Sequence, residues 1–379
     1  MNPVSRAASV APWSEWVERV MIHVSAYLDF EGQELPGGRQ RHVRDLASAI
    51  RDVCGLPVVV VQKATRSFET TCAGGHAVVG IKCPTSSLGD PWLGWTSWRM
   101  RRRTDGVIYA CGDSAWPMFA PRSKGIQHGV WWDGPIAAGM RALQRRRAMD
   151  FAAAMDSILC VDTNFVNWLR CQGARGLALT DKCHYVPNYA DLEALDDGAA
   201  DRPLGEPVRL LFARRFEPKR GAVLFLDALA ILQRRGFDFS ATLLTIGGVS
   251  AIEQLMHDRA LGSRVQIAED GMDAVLSRYR ESDVAVVPTI WSEGTSLACV
   301  EAICAGVPVV ATHVGGLGNL IVPEHNGVLV PPSAEALADG IQHVADAARW
   351  TRMRRNCLSM RDALSARRWT AQVVDWVRS

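Results

Sequence analysis

A chain of 379 residues, with 48% hydrophobic and 22% charged side chains, is long enough for two domains of roughly 150–200 residues and too apolar to be disordered. Its formal net charge of +2 excludes a general attraction to nucleic acid, so any anion site must be local. The ten cysteines form no CxxC pair and no Cys/His cluster at metal-ligand spacing, which predicts reduced, structural thiols and no metal centre.

Neither a leader nor a membrane span is evident in the sequence. Residues 1–18 lack a continuous apolar core, and no run of eighteen apolar residues occurs anywhere. We therefore expect a cytoplasmic protein without a spanning helix.

The first half alternates short apolar runs with polar or helical stretches. Residues 19–26 (RVMIHVSA) predict a buried strand, which a glycine-bearing loop connects to an amphipathic helix over 41–53. Further strands are predicted at 56–62, 76–81, 106–110, 125–129 and 157–161. An acidic stretch at 189–207, rich in Gly, Ala and Pro, predicts an interdomain crossing.

The second half repeats this alternation. Strands are predicted at 208–213, 240–246, 264–268, 283–288 and 307–311, and helices near 221–235, 250–260 and 296–305. Strands that alternate with helices favour a parallel, doubly wound sheet in each half. The fold class predicted is therefore α/β, with two Rossmann-like domains.

The densest signal for chemistry is the segment 283–316, DVAVVPTIWSEGTSLACVEAICAGVPVVATHVGG. Thr295 or Ser296 can cap its helix, whose free N–H groups then face a diphosphate at the edge of the sheet, and Gly294 lets the backbone approach closely. Glu301 can accept hydrogen bonds from a ribose diol and Glu293 from sugar hydroxyls. The same spacing also fits an ordinary β/α unit with two solvent-facing glutamates.

A second cluster, FARRFEPKRG at 212–221, follows the strand that opens the second half. Arg214 and Lys219 would supply the fixed positive charge that a departing diphosphate needs. A solvated basic turn is the alternative.

These and other segments, in order, resemble the donor-binding domain of the GT-B-fold retaining glycosyltransferases of family 4, the glycosyl transferases group 1. The matching segments are ARRFEPK, LLTIGG, SRYRESDVAVVP, the Glu-seven-residues-Glu motif from Glu293 to Glu301, PVVATHVGG and HNGVLVPP. The resemblance implies two domains that face each other across a cleft. Residues 1–200 would bind the acceptor, and residues 201–360 would bind a nucleotide-diphosphate sugar.

The resemblance also assigns roles in the donor site. Arg214 and Lys219 would hold the diphosphate, Glu301 the ribose and Glu293 the transferred sugar. Further donor contacts would come from Thr295, Ser296 and Leu297 at the phosphates and from the loop 269–272, including Gly271, at the base.

The first half resembles the acceptor domain more loosely, through PGGRQRHVRDLASAI and IQHGVWWDGP. Gly37 and Gly38 would face the donor, and His128 would lie near the donor sugar, although by residue type alone a histidine at a strand end is more often structural. PNYADLEAL matches the interdomain segment. ARRWTAQVVDWV resembles a helix that returns to the first domain, so residues 361–379 are expected to pack there.

Two positions depart from the family pattern. Asn319 follows the Gly-Gly turn where family members often carry glutamate, and Arg220 is inserted between Lys219 and Gly221. We expect neither to touch the glutamate pair or the Arg/Lys pair.

In this family, retention of configuration is attributed to a front-face route in which the leaving phosphate helps to deprotonate the acceptor. No nucleophile is therefore assigned. No metal or other cofactor is expected, because Arg214 and Lys219 would supply the charge and no Asp-x-Asp motif is evident.

The stretch DPWLGWTSWRMRRR at 90–103 places Trp92, Trp95 and Trp98 at three-residue spacing beside four arginines. This pattern predicts an interfacial helix, with 92–103 on an anionic membrane surface and a lipid-linked saccharide as acceptor. Alternatively, the tryptophans pack on the sheet of the first domain while the arginines are solvated.

The expected function is transfer of a hexose to a glycan or lipid-linked saccharide, in the synthesis of bacterial surface polysaccharide or glycoconjugate. Alternatives are a nucleotide-sugar epimerase or a glycan phosphorylase of the same fold, and a non-catalytic nucleotide-sugar-binding subunit. A phosphorylase would carry a pyridoxal lysine segment, which we do not find, and a decayed subunit often loses the Glu and Arg/Lys pairs. An NAD-dependent oxidoreductase would need G-x-G-x-x-G after its first strand, where this chain has PGGRQ.

Overall fold

The structure is a computed structural model. It describes residues 12–29, 31–35, 37–85, 88–112, 114–191, 202–245, 247–268, 272–291 and 293–379. Within them lie two β-sheets, one of eight strands and one of six, each flanked by helices. The predicted α/β class with two Rossmann-like halves is confirmed.

The first sheet lies in the first half of the chain. Its strands are β1 (Arg19–Val24), β2 (Val58–Ala64), β3 (Phe68–Thr71), β4 (Ala77–Lys82), β5 (Asp105–Tyr109), β6 (Ser123–Gln127), β7 (Ser157–Cys160) and β8 (Cys183–Tyr185). They lie in the order β3-β4-β2-β1-β5-β6-β7-β8, and β1 pairs in parallel with both β2 and β5. The point between β1 and β5 is where the strand order reverses, which is where ligands bind in open α/β sheets.

One edge of this sheet departs from the predicted parallel arrangement. β3 pairs antiparallel with β4, and the backbone N–H of Cys72 donates to His76 O across the turn that joins them. Because that turn is too short for a crossover helix, the two strands can pair only in the antiparallel direction. The sequence analysis did not predict β3, in which alternate residues are exposed.

The helices of the first half cover both faces of this sheet. They are α1 (Gly38–Cys54), α2 (Gly89–Met100), α3 (Ala138–Ala154), α4 (Asn164–Arg170) and α5 (Gly173–Leu179). α1 is the predicted amphipathic helix, and its buried Val43, Leu46 and Ile50 recur at helical spacing. It ends at Gly55, whose φ of 71° is the left-handed conformation typical of a helix C-terminus.

The second sheet is entirely parallel among its described strands. These are β9 (Val208–Ala213), β10 (Phe239–Leu244), β11 (Val265–Ala268), β12 (Val284–Val287), β13 (Val309–Thr312) and β14 (Gly327–Val330), in the order β11-β10-β9-β12-β13-β14. Its helices are α6 (Ala222–Arg234), α7 (Val249–Asp258), α8 (Met272–Glu281), α9 (Leu297–Cys304), α10 (Ala334–Val344) and α11 (Ala347–Ser359). β12 and β13 are buried along their whole length, because helices cover both faces of a parallel sheet.

A last helix, α12 (Ala366–Arg378), leaves the second half and packs against α1 in the first. Its buried Trp369, Val373 and Trp376 belong to the first hydrophobic core. The buried Lys124 amino group contacts Trp376 O and donates to Val377 O at 3.3 Å, so a cation lies at the negative end of this helix.

Candidate active site

The loop between β12 and α9 lies between the two domains, at the carboxyl edges of both sheets. A Cβ built on Gly294 would lie 2.6 Å from His128 O, and one built on Gly38 would lie 2.8 Å from Leu297 Cδ1. Because the first of these contacts is with a backbone atom, only glycine permits that approach at position 294. The Gly37–Gly38 loop and the loop that follows β6 therefore both face the start of α9.

Polar side chains also join the domains around this loop. The Asn188 amide donates to Thr295 O at 2.5 Å, and the Thr295 hydroxyl donates to Val161 O. Asn319 exchanges two hydrogen bonds with Thr163, at 2.9 and 3.0 Å. The start of α9 is thus held against the first domain by side chains on both of its flanks.

The predicted side-chain cap of α9 is wrong. Ser296 is the N-cap residue, but its side chain makes no capping hydrogen bond, and the Thr295 hydroxyl is engaged by the opposite domain. The N–H groups at the start of α9 therefore donate no hydrogen bond to the cap side chain. Such groups, with the positive end of the helix dipole, are suited to bind an anion.

Glu293 accepts a set of hydrogen bonds on a single oxygen. Its Oε2 accepts from Arg214 Nη2 at 2.5 Å, from Arg220 Nη1 at 2.8 Å and from the Thr289 hydroxyl at 2.9 Å. Burial acts to raise the pKa of this carboxyl, but Arg214 and Arg220 outweigh it, and the pKa lies below its ordinary value. Glu293 is therefore an ionised acceptor in a buried setting.

The contacts of Arg220 correct one expectation. The inserted Arg220 was expected not to touch the glutamate pair, yet it bonds directly to Glu293, whereas Lys219 Nζ lies 3.6 Å from Glu217 Oε2. Pro218–Arg220 is a single 3-10 turn, in which neighbouring side chains point in different directions. The guanidinium of Arg215 is also close, 3.2 Å from the Cβ position of Gly37.

Asn319 keeps to the same expectation. Its side-chain hydrogen bonds go to Thr163, as described above, and join the two domains. Its amide both donates and accepts there, which a glutamate could not do.

Glu301, on α9, is bonded to a residue of the first domain. Its Oε1 accepts from Arg41 Nη1 at 2.8 Å, and Arg41 Nη2 donates to Tyr189 O at 3.2 Å. Burial raises the pKa of Glu301, and the nearby Arg41 offsets this only in part. Arg41 was not predicted from the sequence. It lies in the PGGRQRH segment, but nothing in that segment indicates that its side chain contacts the second domain.

His128 has its ring turned into the first domain. Its Nε2 donates to Ala110 O at 2.9 Å, and the ring packs edge-on against His42 with 5.0 Å between centroids. Burial, with smaller contributions from His42 and Arg39, lowers its pKa well below the ordinary value, so the imidazole is neutral. The backbone carbonyl of His128, rather than its ring, contacts Gly294.

Asp162 is a second residue that the sequence analysis missed. Oδ1 accepts from the Asn164 N–H at 2.8 Å, while Oδ2 is buried and has no partner among the described residues. Oδ2 lies 3.0 and 3.3 Å from the Cβ positions of Gly129 and Gly294, in the contact between the domains. Burial raises its pKa to about 6, more than the hydrogen bond from Asn164 lowers it.

The remaining predicted donor contact, Gly271 in the loop 269–272, lies outside the described residues. Within the described ranges, no three His, Cys, Asp or Glu side chains are grouped as metal ligands.

The tryptophans of α2 do not pack on the sheet. Trp92, Trp95 and Trp98 are 45%, 38% and 54% exposed, and the buried residues of the helix are Gly89, Leu93, Gly94 and Ser97. The Arg99 guanidinium lies 5.0 Å from the Trp95 ring centroid, where it can make a cation–π contact. Of the helices that the structure describes, none is long and apolar enough to span a bilayer.

Comparison with known proteins agrees with this geometry. Residues 200–357 match the family model "Glycosyl transferases group 1". Glycogen synthase of Mycobacterium tuberculosis is 25% identical over 362 residues, which cover 82% of this chain and 83% of that protein. D-inositol 3-phosphate glycosyltransferase of Saccharomonospora viridis is 36% identical over 187 residues, 44% of this chain and 43% of that protein.

Solved structures share the whole fold. Sucrose-phosphate synthase from Thermosynechococcus elongatus superposes with a TM-score of 0.73 and 21% identity, over 95% of this chain and 98% of that one. Anabaena HepE, in complex with UDP and glucose, gives a TM-score of 0.72 and 16% identity, over 96% of this chain and 100% of that one. This chain is therefore a glycosyltransferase with the GT-B fold, and its residues 200–357 match the family model of the glycosyl transferases group 1.

Proposed function

We propose that the protein transfers a hexose from a nucleotide-diphosphate sugar to a saccharide acceptor, with retention of configuration. The observation that carries this proposal is the start of α9, whose uncapped N–H groups lie between an ionised Glu293 and a buried Glu301 in the contact between the domains. An anion at that helix end has a carboxylate on either side, and each carboxylate can accept hydrogen bonds from sugar hydroxyl groups.

Different residues bind different parts of the donor. The diphosphate lies at the N–H groups of Gly294 to Leu297, the ribose hydroxyls donate to Glu301, and the hydroxyls of the hexose donate to Glu293. Arg214 and Arg220, already fixed by Glu293, offset the negative charge that grows on the leaving diphosphate. Arg220 thereby takes the position that the resemblance gave to Lys219.

The reaction is a substitution at the anomeric carbon. The bond from that carbon to the phosphate oxygen breaks as the acceptor oxygen bonds to the same face, and the acceptor proton passes to the departing phosphate. The protein orients two substrates and stabilises charge, so no protein nucleophile is required. No cofactor is assigned, since arginine guanidinium groups supply the positive charge.

The donor is identified by thermal stabilisation with UDP-, GDP- and ADP-sugars, followed by product analysis. UDP-glucose is the first donor to test, because HepE was solved with UDP and glucose. Release of nucleoside diphosphate with formation of a glycoside supports the proposal. Binding of no nucleotide sugar would refute it, and conversion of the donor to an isomer without transfer would show an epimerase instead.

Three variants test the roles. Glu301→Ala should mainly weaken donor binding, whereas Arg220→Ala should lower turnover by roughly 100-fold, because it removes a cation from the leaving-group side. Lys219→Ala is the matched control for Arg220→Ala, since its ammonium faces Glu217. A larger loss of turnover in Lys219→Ala than in Arg220→Ala would contradict the assignment.

For the acceptor, we propose a lipid-linked saccharide on the cytoplasmic face of a bacterial membrane, as in the synthesis of surface polysaccharide. The exposed face of α2 supports this, since its three tryptophans lie beside Arg99 and the following Arg101, Arg102 and Arg103. Aromatic and basic side chains together suit an anionic lipid surface.

Flotation with liposomes tests this surface. Wild type should float with vesicles that contain phosphatidylglycerol and less with neutral vesicles, and replacement of the four arginines 99, 101, 102 and 103 by glutamine should abolish flotation. The matched control replaces four exposed arginines elsewhere, 145, 146, 175 and 367. Absence of flotation in wild type, or equal loss in the control, would refute a membrane role for α2.

A further inference from the structure

The Arg41–Glu301 ion pair connects the two domains at the point assigned to the nucleoside. Arg41 lies on α1 of the first domain, Glu301 lies on α9 of the second, and Nη1 and Oε1 are 2.8 Å apart. The Glu301 side chain is only 11% exposed, and Arg41 covers one of its oxygens. A ribose that donates to both oxygens of this buried carboxylate must therefore share Oε1 with the guanidinium or displace it.

Arg41 has a second set of acceptors within reach. Its Nε lies 4.0 Å from Asp45 Oδ2, one turn further along α1, and its guanidinium lies 5.6 Å from the Tyr189 ring centroid. Asp45 in turn accepts from the Tyr189 hydroxyl. The guanidinium can therefore leave Glu301 without losing a carboxylate partner.

There is also space for this movement. A cavity of about 320 Å³ lies beside Arg41, between α1, α12 and the segment that leaves the first domain. Its walls include Asp45, Asp52, Asp191, Tyr189 and Trp369. The cavity is large enough for a guanidinium, and besides Arg41 it is lined by three carboxylates and one further cation, Arg44, which pairs with Asp45.

We propose that Arg41 competes with the donor nucleoside for Glu301. When the nucleoside binds, its ribose hydroxyls replace the guanidinium, which moves toward Asp45 into the adjacent cavity, and the ion pair between the domains is broken. This inference rests on the proposed function, because it takes Glu301 as the ribose acceptor. Part of the nucleotide's binding free energy is then used to break the ion pair. Wild type therefore binds its donor more weakly than a protein in which Arg41 does not pair with Glu301.

The test compares Arg41→Gln with Arg51→Gln, a control on the same helix whose side chain pairs with its neighbour Asp52. Binding of UDP, GDP and ADP is measured by titration calorimetry. For whichever nucleotide binds wild type, Arg41→Gln should bind it roughly fivefold or more tightly, a typical size for coupling between two sites, and Arg51→Gln should match wild type. In a Glu301→Gln background the gain should disappear, because the competition has been removed.

Equal or weaker binding by Arg41→Gln would overturn the inference, since Arg41 would then be neutral or a donor contact. If neither wild type nor Arg41→Gln bound any nucleotide, the proposed function would be refuted. Small-angle X-ray scattering would then still test whether the ion pair holds the domains together. A larger radius of gyration for Arg41→Gln than for Arg51→Gln supports that role, and identical values refute it.

Discussion

Asp162 has one satisfied oxygen and one buried oxygen without a partner, which makes it sensitive to pH. Its pKa of about 6 in the folded protein exceeds the ordinary 3.8, so between these values the folded state binds more protons than the unfolded state. Stability contributed by this group is therefore present at low pH and is lost as pH rises from about 4 to about 6.

Asp162→Asn should remove this dependence. The variant keeps an oxygen for the Asn164 N–H but carries no charge, so its gain in unfolding free energy over wild type should be roughly 1 kcal/mol larger at pH 8 than at pH 5. Thermal unfolding at both pH values measures this gain. Asp181→Asn, an exposed site in the same domain, serves as control, and a constant difference at the two pH values would show that Asp162 does not titrate there.

Several residues of the candidate site could be named from the sequence because one short segment carries them. Glu293, Gly294 and Glu301 lie within a loop and a helix whose geometry fixes their spacing. Arg41 could not be named, because its partner is 260 residues away and the contact depends on how two domains meet. Asp162 was missed for the same reason, and Arg220 was misjudged because the direction of a side chain in a 3-10 turn is not evident from spacing.

At the scale of elements, the turn that opens α6 depends on one glycine. Gly221 has a φ of 77°, and a Cβ there would lie 1.8 Å from Pro288 O. This turn and the loop after β12 are also joined by the Ile290 N–H, which donates to Lys219 O at 2.9 Å. The position of Arg220 beside Glu293 therefore depends on close backbone contact.

Gly221→Ala should destabilise the second domain by about 3 kcal/mol or more, because backbone atoms must move. Gly236→Ala, with a φ of 69° and open space around its Cβ position, should cost only about 1 kcal/mol from strain. Urea unfolding followed by circular dichroism measures both. Equal costs would show that the contact with Pro288 relaxes freely.

Elements were predictable where hydrophobic periodicity was strong. α1, β9 and β12 lie within a few residues of their predicted positions. Three short strands, β3, β8 and β14, were not predicted, since runs of three or four residues at a sheet edge carry little periodic signal.

At the scale of the whole molecule, the two domains meet through glycine backbones. Gly294 approaches His128 O, and a Cβ on Gly129 would lie 3.1 Å from Gly294 Cα. A side chain here would separate the domains without disturbing either core.

Gly294→Val should therefore loosen the contact between the domains. The Thr163 N–H, which donates to Asn319 across this contact, should exchange with solvent at least about tenfold faster, while the core strands keep their protection. Gly318→Val, where a Cβ would lie 3.8 Å from its nearest neighbour, is the control. Unchanged exchange at Thr163 in Gly294→Val would contradict a contact that requires glycine.

The return of α12 to the first domain has a consequence for how the chain is made. Trp369 and Trp376 complete the core of the first domain, and they leave the ribosome after the entire second domain. Domains generally fold in the order in which they are synthesised, but here the first to emerge lacks part of its core until α12 has also been synthesised. During synthesis, the second domain can thus reach its folded state before the first, and in that interval the face of α1 that later packs against α12 is uncovered.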